Sequence, residues 1–264
     1  MFWNRAAVKE LTYLVEGYGV GCRWDASEVE PVIRSLQLPH FTLCRRSPDA
    51  VFSVSKEDGR YRLELNDKTR STCDLAQLAT YMAREIQLEV ATHAPTTVFV
   101  HAGVVRYRNG LVVIPGKSFS GKSTLVAALC KAGAGYYSDE YAVVTEDGQV
   151  RAWPRPLTLR TDDYQTRDVS TAEEMGWKPD FGSLPVRLVV VTKFEEKARW
   201  EPEENSAGKA VLDLISNTVS AQIAPQRAMS HLSQLVLNAR CLKGPRGEAV
   251  ETAQLILKAM DESK

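Results

Sequence analysis

No apolar run in the 264-residue chain is long enough to cross a bilayer. Lys9, Glu10 and Glu16 interrupt any apolar stretch near Met1-Phe2-Trp3-Asn4-Arg5, so a secretory signal is not expected and neither is a membrane partner. Net charge is also missing: 33 Lys plus Arg meet 33 Asp plus Glu. That balance argues against whole-chain attraction to nucleic acid. Cysteine is sparse and scattered. Cys22, Cys44, Cys73, Cys130 and Cys241 contain no C-x-x-C pair and read as reduced thiols of a cytoplasmic protein. His40, His93, His101 and His231 lack metal-ligand spacing, which argues against a zinc site. There is no internal repeat and no low-complexity tract. Nothing in the composition opposes a homo-oligomer.

What is present is organised around Gly116-Lys117-Ser118-Phe119-Ser120-Gly121-Lys122-Ser123, which fits G-x-x-x-x-G-K-[ST], the phosphate-binding loop. Gly116 and Gly121 let the backbone curl so that successive N–H groups point at phosphate oxygens. Lys122 supplies a mobile cation for the β- and γ-phosphates, and Ser123 a hydroxyl for Mg²⁺. Context supports the match. Leu111-Val112-Val113-Ile114 reads as a buried strand before the loop. Thr124 to Leu129 has helical spacing after it and ends near Gly133. Residues Gly116 to Thr124 are therefore the expected nucleotide-binding segment, with ATP and Mg²⁺ as cofactors.

Residues 1–95 read as a small N-terminal α/β domain and 96–264 as the catalytic domain, with Ala94-Pro95-Thr96 at the boundary. Leu11 to Trp24 suggests one or two strands. Gly17-Tyr18-Gly19 begins like a dinucleotide loop, but Cys22 stands where the third glycine belongs, so a bent strand is expected. Ser27 is the expected cap of a helix reaching Leu36 and stopped by Pro39. Ala50–Ser55 and Tyr61–Leu65 flank Lys56-Glu57-Asp58-Gly59 as a hairpin. From Asp74 to His93, Leu75, Leu78, Tyr81, Met82, Ile86 and Val90 mark a long amphipathic helix, expected to pack on the next domain.

In the second domain, Val98–Val105 and Leu111–Ile114 flank Arg108-Asn109-Gly110, so the loop strand is expected to pair antiparallel with its predecessor. Gly135 to Ser138 should be a strand beside the loop strand, bringing Asp139 and Glu140 to Ser123. A P-loop enzyme needs such carboxylates for the Mg²⁺ shell, and a kinase needs a group to deprotonate the attacking hydroxyl. His101, on the neighbouring strand, completes the candidate cluster His101, Lys122, Asp139, Glu140. Pro154 to Arg160 reads as an edge segment, 161–184 as a polar loop suited to acceptor recognition, Val186–Val191 as a buried strand, and the chain from Gly208 as mostly helical. The apolar faces of that last part are set at Val211, Leu212 and Ile215, then Leu232, Leu235 and Val236, then Ala253, Leu255, Ile256 and Met260. Arg155, Arg160 and Arg187 are candidate phosphoryl clamps. Thr192-Lys193-Phe194-Glu195 is similar to the GTPase base-recognition motif, but Glu195 replaces its Asp and no D-x-x-G switch accompanies it. Asp180-Phe181-Gly182 spells a protein-kinase metal motif without its H-R-D, and reads as a turn.

Phe99-Val100-His101-Ala102-Gly103, the loop Gly116–Ser123 and Ser138-Asp139-Glu140 resemble the HPr kinase/phosphorylase family in order and spacing. The resemblance covers about 97–160 well and 184–260 loosely, and is close to nothing over the first 95 residues. Within the family the chain is most similar to the HPr-kinase-related proteins of bacterial peptide-modification and natural-product gene clusters. The resemblance implies an α/β fold with a P-loop core of the HPr kinase/phosphoenolpyruvate carboxykinase type and a mixed sheet. It implies Lys122 on the β-phosphate, Ser123 on the metal, Asp139 as general base (or metal ligand), Glu140 as metal ligand, and His101 tuning Asp139. Two positions depart: Glu140 stands where the family has Asp, and Thr124 where the HPr enzyme has an acid. HPr as substrate and phosphorolysis are therefore not carried over. The expected function is an ATP-dependent kinase acting on a hydroxyl of a peptide, protein or small molecule. The alternatives are a nucleotide-binding scaffold or regulatory ATPase, and a carboxykinase-like enzyme.

Overall fold

Alternation of side chains builds the first sheet. The computed structural model describes residues 8–36, 40–117, 120–160, 167–176 and 182–262. The chain forms two compact units, Met1–Thr96 and Thr97–Lys264. The first holds β1 (Lys9–Val15), β2 (Tyr18–Trp24), α1 (Val29–Ser35), β3 (Thr42–Cys44), β4 (Ala50–Glu57), β5 (Arg60–Leu65), β6 (Lys68–Thr72) and α2 (Leu75–His93). The strands lie in the order β3-β1-β2-β4-β5-β6. Ala50, Phe52 and Val54 are buried while Val51, Ser53 and Ser55 are not, so one sheet face is apolar. β1 turns into β2 at Glu16-Gly17, both at positive φ (47° and 80°), so Gly17 serves a tight hairpin. The expected hairpin of β4 and β5 turns at Asp58-Gly59.

One expectation for this unit changes. Ser27 does not cap α1. Glu28 holds the cap position without a side-chain bond, and Ser27 contributes only its carbonyl, 3.3 Å from the Glu30 nitrogen. α2 is capped by Asp74, which accepts the Ala76 N–H at 2.9 Å. Its buried stripe is Leu78, Met82, Ile86 and Val90, and the helix packs on β2, β5 and β6 of its own unit's sheet.

The second unit holds β7 (Val98–Tyr107), β8 (Gly110–Pro115), α3 (Lys122–Lys131), β9 (Gly135–Ser138), β10 (Tyr141–Val144), β11 (Val150–Arg151), β12 (Leu157–Arg160), β13 (Arg167–Ser170), β14 (Val186–Phe194), β15 (Glu203–Glu204), α4 (Ala207–Ile215), α5 (Pro225–Leu237), β16 (Arg240–Arg246) and α6 (Ala249–Glu262). Its main sheet runs β11-β10-β7-β8-β14-β16-β15, with β9 also on β7. The sheet is mixed: β8, β14 and β16 are mutually parallel, whereas β7 is antiparallel to β8. β8 is buried on both faces, as an uninterrupted apolar run demands. Leu111 and Val113 join a core with Leu214, Leu232 and Leu235 of α4 and α5. Val112 and Ile114 join the other with Leu125 and Leu129 of α3 and Ile256 of α6. The unit is therefore a three-layer sandwich.

The expected β7–β8 pair is present, but its turn residues are Arg108-Asn109, since Tyr107 pairs with Gly110. The positive φ falls on Arg108 (51°). Gly110 sits in the ladder with Arg187 packed over it, leaving no room for a Cβ. The region after Gly208 is not all helical: β16 intervenes and extends the sheet beside β14. Leu212 and Leu255 are exposed, and Ala210, Leu214 and Leu257 take the buried positions instead. β12 is no edge of the main sheet. It pairs with β13 in a separate ribbon, so part of the expected 161–184 loop is strand.

Candidate functional site

β8 ends where its ladder with β7 ends. Pro115 pairs with Ala102, and the Gly116 N–H donates to the His101 carbonyl at 3.1 Å. There the chain curls. A Cβ on Gly116 would lie 2.7 Å from Ser120 Oγ, and Gly121 takes φ 82° at the N-cap of α3. No side chain caps α3 and no acid lies in its first turn, so its first N–H groups face the loop without a side-chain acceptor. Lys122 Nζ donates to the Lys117 carbonyl at 3.1 Å across the loop. Ser118 and Phe119 lie outside the described residues. Thr124 is exposed in the first turn of α3.

The acids arrive by a different route from the one expected. β9 and β10 pair with β7, not β8, because β7 and β14 already occupy both edges of β8. Between β9 and β10 the chain bends at Asp139-Glu140, and the Ala102 N–H donates to the Glu140 carbonyl at 3.3 Å. Gly103 of β7 lets α3 come down onto this bend. A Cβ there would lie 2.5 Å from Val126 Cγ2 and 3.8 Å from Asp139 Oδ1. As a result Ser123 Oγ donates to Asp139 Oδ2 at 2.7 Å. His101 faces Tyr141 in the ladder, its ring 4.8 Å from the tyrosine's, with Nδ1 3.8 Å from Glu140 Oε1.

Burial sets the electrostatics. It pushes the Asp139 carboxyl up to about 6, and Glu140 adds to the push. The Ser123 hydrogen bond and the Lys122 charge pull the other way. Burial lowers Lys122 against the pull of Asp139 and Glu140. Burial also lowers His101, which Glu140 opposes and Lys122 reinforces. Ser123, Asp139, Glu140, Arg155 and Thr158 line a cavity of about 190 Å³. A wider cavity of about 880 Å³ lies among β1, β3 and the Arg45–Pro48 segment of the first unit, and it contains none of these groups. Of the three arginine candidates, Arg155 lines the site. Arg187 packs on Gly110, at the opposite end of β8 from the loop. The side chain of Arg160 is outside the described residues.

Two contributors were not read from the sequence. Arg246, at the end of β16, is 2% exposed. It donates to the Gly121 carbonyl at 2.9 Å and the Gly247 carbonyl at 2.7 Å. Among the described residues no carboxylate lies within ion-pair distance of it. Asn217 accepts the His101 N–H at 2.8 Å on the edge of β7 that β8 vacates. Thr192 lies on β14, three residues past Val189, the partner of Val113. Ser120 Oγ, Asp139 Oδ1 and Arg246 Nε are buried polar atoms without a hydrogen-bond partner. The only sequence signal for Arg246 was a basic residue inside the turn-like Gly244-Pro245-Arg246-Gly247. For Asn217 there was none.

No family model matches the chain. No curated protein matches it either. Among solved structures, the chain is similar to the HPr(Ser) kinase/phosphatase from Coxiella burnetii, with 13% identity and a TM-score of 0.36, over 62% of this chain and 93% of that one. No helix among the described residues is long and apolar enough to cross a membrane.

Proposed function

We propose that the chain is an ATP-dependent phosphotransferase acting on a hydroxyl of a peptide, protein or small molecule. The observation that carries the reading is the 2.7 Å hydrogen bond from Ser123 to a buried carboxylate, Asp139, directly behind a glycine-turned loop with an uncapped helix N-terminus. The residues present fit a Mg²⁺-bound triphosphate. Among the described residues no three His, Cys, Asp or Glu side chains gather as a metal site of their own. Mg²⁺ is commonly held by one or two carboxylates together with substrate phosphates, and Ser123, Asp139 and Glu140 supply hard oxygens of that kind. When bound, the ion would neutralise phosphate charge.

This chain's own groups would do the rest. Backbone N–H groups of the loop and Lys122 hold phosphate oxygens. Arg246 fixes the Gly121 carbonyl and with it the pitch of the loop. Asp139 has one oxygen committed to Ser123 and the other, Oδ1, buried without a partner. An acceptor hydroxyl placed there would give its proton to Oδ1. A carboxyl poised near 6 is ionised at neutral pH and basic enough to share that proton. His101, beside Glu140, orients that acid. Calorimetry of ATP·Mg²⁺ binding tests the reading. Lys122→Ala should weaken affinity by about 10-fold or more with the thermal midpoint unchanged, because the lysine meets ligand and not core. Equal affinity in variant and parent would refute it. Tight binding by the parent with no transfer to any hydroxyl acceptor would favour a nucleotide-regulated scaffold.

A further inference from the structure

We infer that Phe194 is the stacking platform for the nucleobase of the nucleotide held at this loop, an inference that rests on the nucleotide reading above. Of the phenylalanine and tryptophan side chains among the described residues, Phe194 alone is exposed, at 43%. An exposed apolar residue needs no explanation by itself; its position and support do. Phe194 is the last residue of β14, and its Cβ is 3.7 Å from where a Cβ on Gly121 would lie. The aromatic ring therefore stands at the lip of the phosphate loop.

The ring is also held in place. Phe194 pairs with Arg246 in the parallel ladder, and the next residue, Glu195, donates its N–H to the Arg246 carbonyl at 2.9 Å. The Arg246 guanidinium lies over the ring at 5.4 Å from its centroid. That guanidinium is itself anchored on the carbonyls of Gly121 and Gly247. One buried cation thus ties the ring and the loop to the same backbone. The loop fixes where the phosphates sit, and the pinned ring then offers a π-surface at a fixed offset from them. Every base has a π-face, so a platform of this kind accepts adenine and guanine alike. Thr192-Lys193-Phe194-Glu195 thereby gains a role without the GTPase carboxylate it lacks.

The test compares ATP, GTP and inorganic tripolyphosphate, each with Mg²⁺, on the full chain by calorimetry. Phe194→Ala should lose about 10-fold or more in affinity for both nucleotides and leave tripolyphosphate unchanged. Phe194→Leu, which keeps apolar bulk but no π-face, should behave like Phe194→Ala and guards against a folding defect. Phe194→Trp should retain nucleotide affinity, with its emission altered by ATP but not by tripolyphosphate. If Phe194→Ala and Phe194→Leu bind ATP as the parent does, or lose ATP and tripolyphosphate equally, the platform is refuted while the loop survives. A parent that binds neither ATP nor tripolyphosphate overturns both the loop reading and the platform.

Discussion

Asp139 answers to two opposed demands, and pH separates them. Its carboxyl titrates near 6 in the fold, well above the ordinary 3.8. The folded state thus binds more protons than the unfolded state between those values. Stability falls as pH rises through that window and stays lower above it, by about 3 kcal/mol for a shift of roughly two units. Asp139→Asn keeps the acceptor for Ser123 and removes the buried charge. It should raise the denaturation midpoint at pH 8 and give little gain near pH 4. Function moves the other way. In the proposed reaction the base is the ionised carboxylate, so the parent's transfer rate should decline as pH falls through about 6. Asp139→Asn should cut transfer by about 10²–10⁴-fold. A small change in ATP·Mg²⁺ affinity alongside that loss marks a base. A large change in Mg²⁺ requirement, with Glu140→Gln the milder defect, marks a metal ligand. A variant no more stable at pH 8 and no slower in transfer would return Asp139 to an ordinary turn.

The elements come together at Gly103, where α3 crosses β7 with no room for a Cβ. A methyl group there would lie 2.5 Å from Val126 Cγ2. Gly103→Ala should therefore lift α3 and stretch the Ser123–Asp139 contact, costing about 1–3 kcal/mol of stability together with nucleotide affinity. Gly103→Ala with Val126→Ala removes the clash and should recover most of both. Recovery of stability without affinity would show that the crossing does not set the site. Much at this scale was legible: β7, β8 and β14 as apolar runs, the loop between strand and helix, and α2 from its spacing. Other parts were not, for physical reasons. Arg240-Cys241-Leu242-Lys243-Gly244-Pro245-Arg246 breaks its apolar run with Lys243, Gly244 and Pro245. It becomes a strand because β14 offers a parallel edge, with Pro245 near the end of the ladder. Which edge β9 would take depended on β14 claiming the other side of β8, a competition between segments distant in sequence. Leu212 and Leu255 were assigned inward because each helix has more apolar residues than its narrow buried stripe can take. The structure brings Ser123, Asp139, Glu140, His101 and Lys122 of the sequence pattern together. Arg246 was invisible because it arrives on that unread strand.

The chain forms two units, and every contact described at the loop is made within one of them. His101, Gly103, Gly121, Ser123, Asp139, Glu140, Phe194, Asn217 and Arg246 all belong to Thr97–Lys264. That unit owns both apolar cores of its sheet, one with α4 and α5 and one with α3 and α6. A domain of this size with helices on both sheet faces can bury enough surface to fold alone. Residues 97–264, expressed by themselves, should unfold in one cooperative transition and bind ATP·Mg²⁺ within about threefold of the full chain, a difference below 1 kcal/mol. Nucleotide should raise the thermal midpoint of the fragment and of the full chain to a similar extent, since the stabilisation depends on ligand concentration and affinity. The first unit has its own sheet, its own helical cover and the cavity of about 880 Å³. If it contributes to acceptor recognition, its removal should abolish transfer to a bound acceptor while leaving the nucleotide terms alone. Loss of more than about tenfold in ATP affinity from a well-folded fragment, or about 1.4 kcal/mol, would instead place a nucleotide contact in Met1–Thr96.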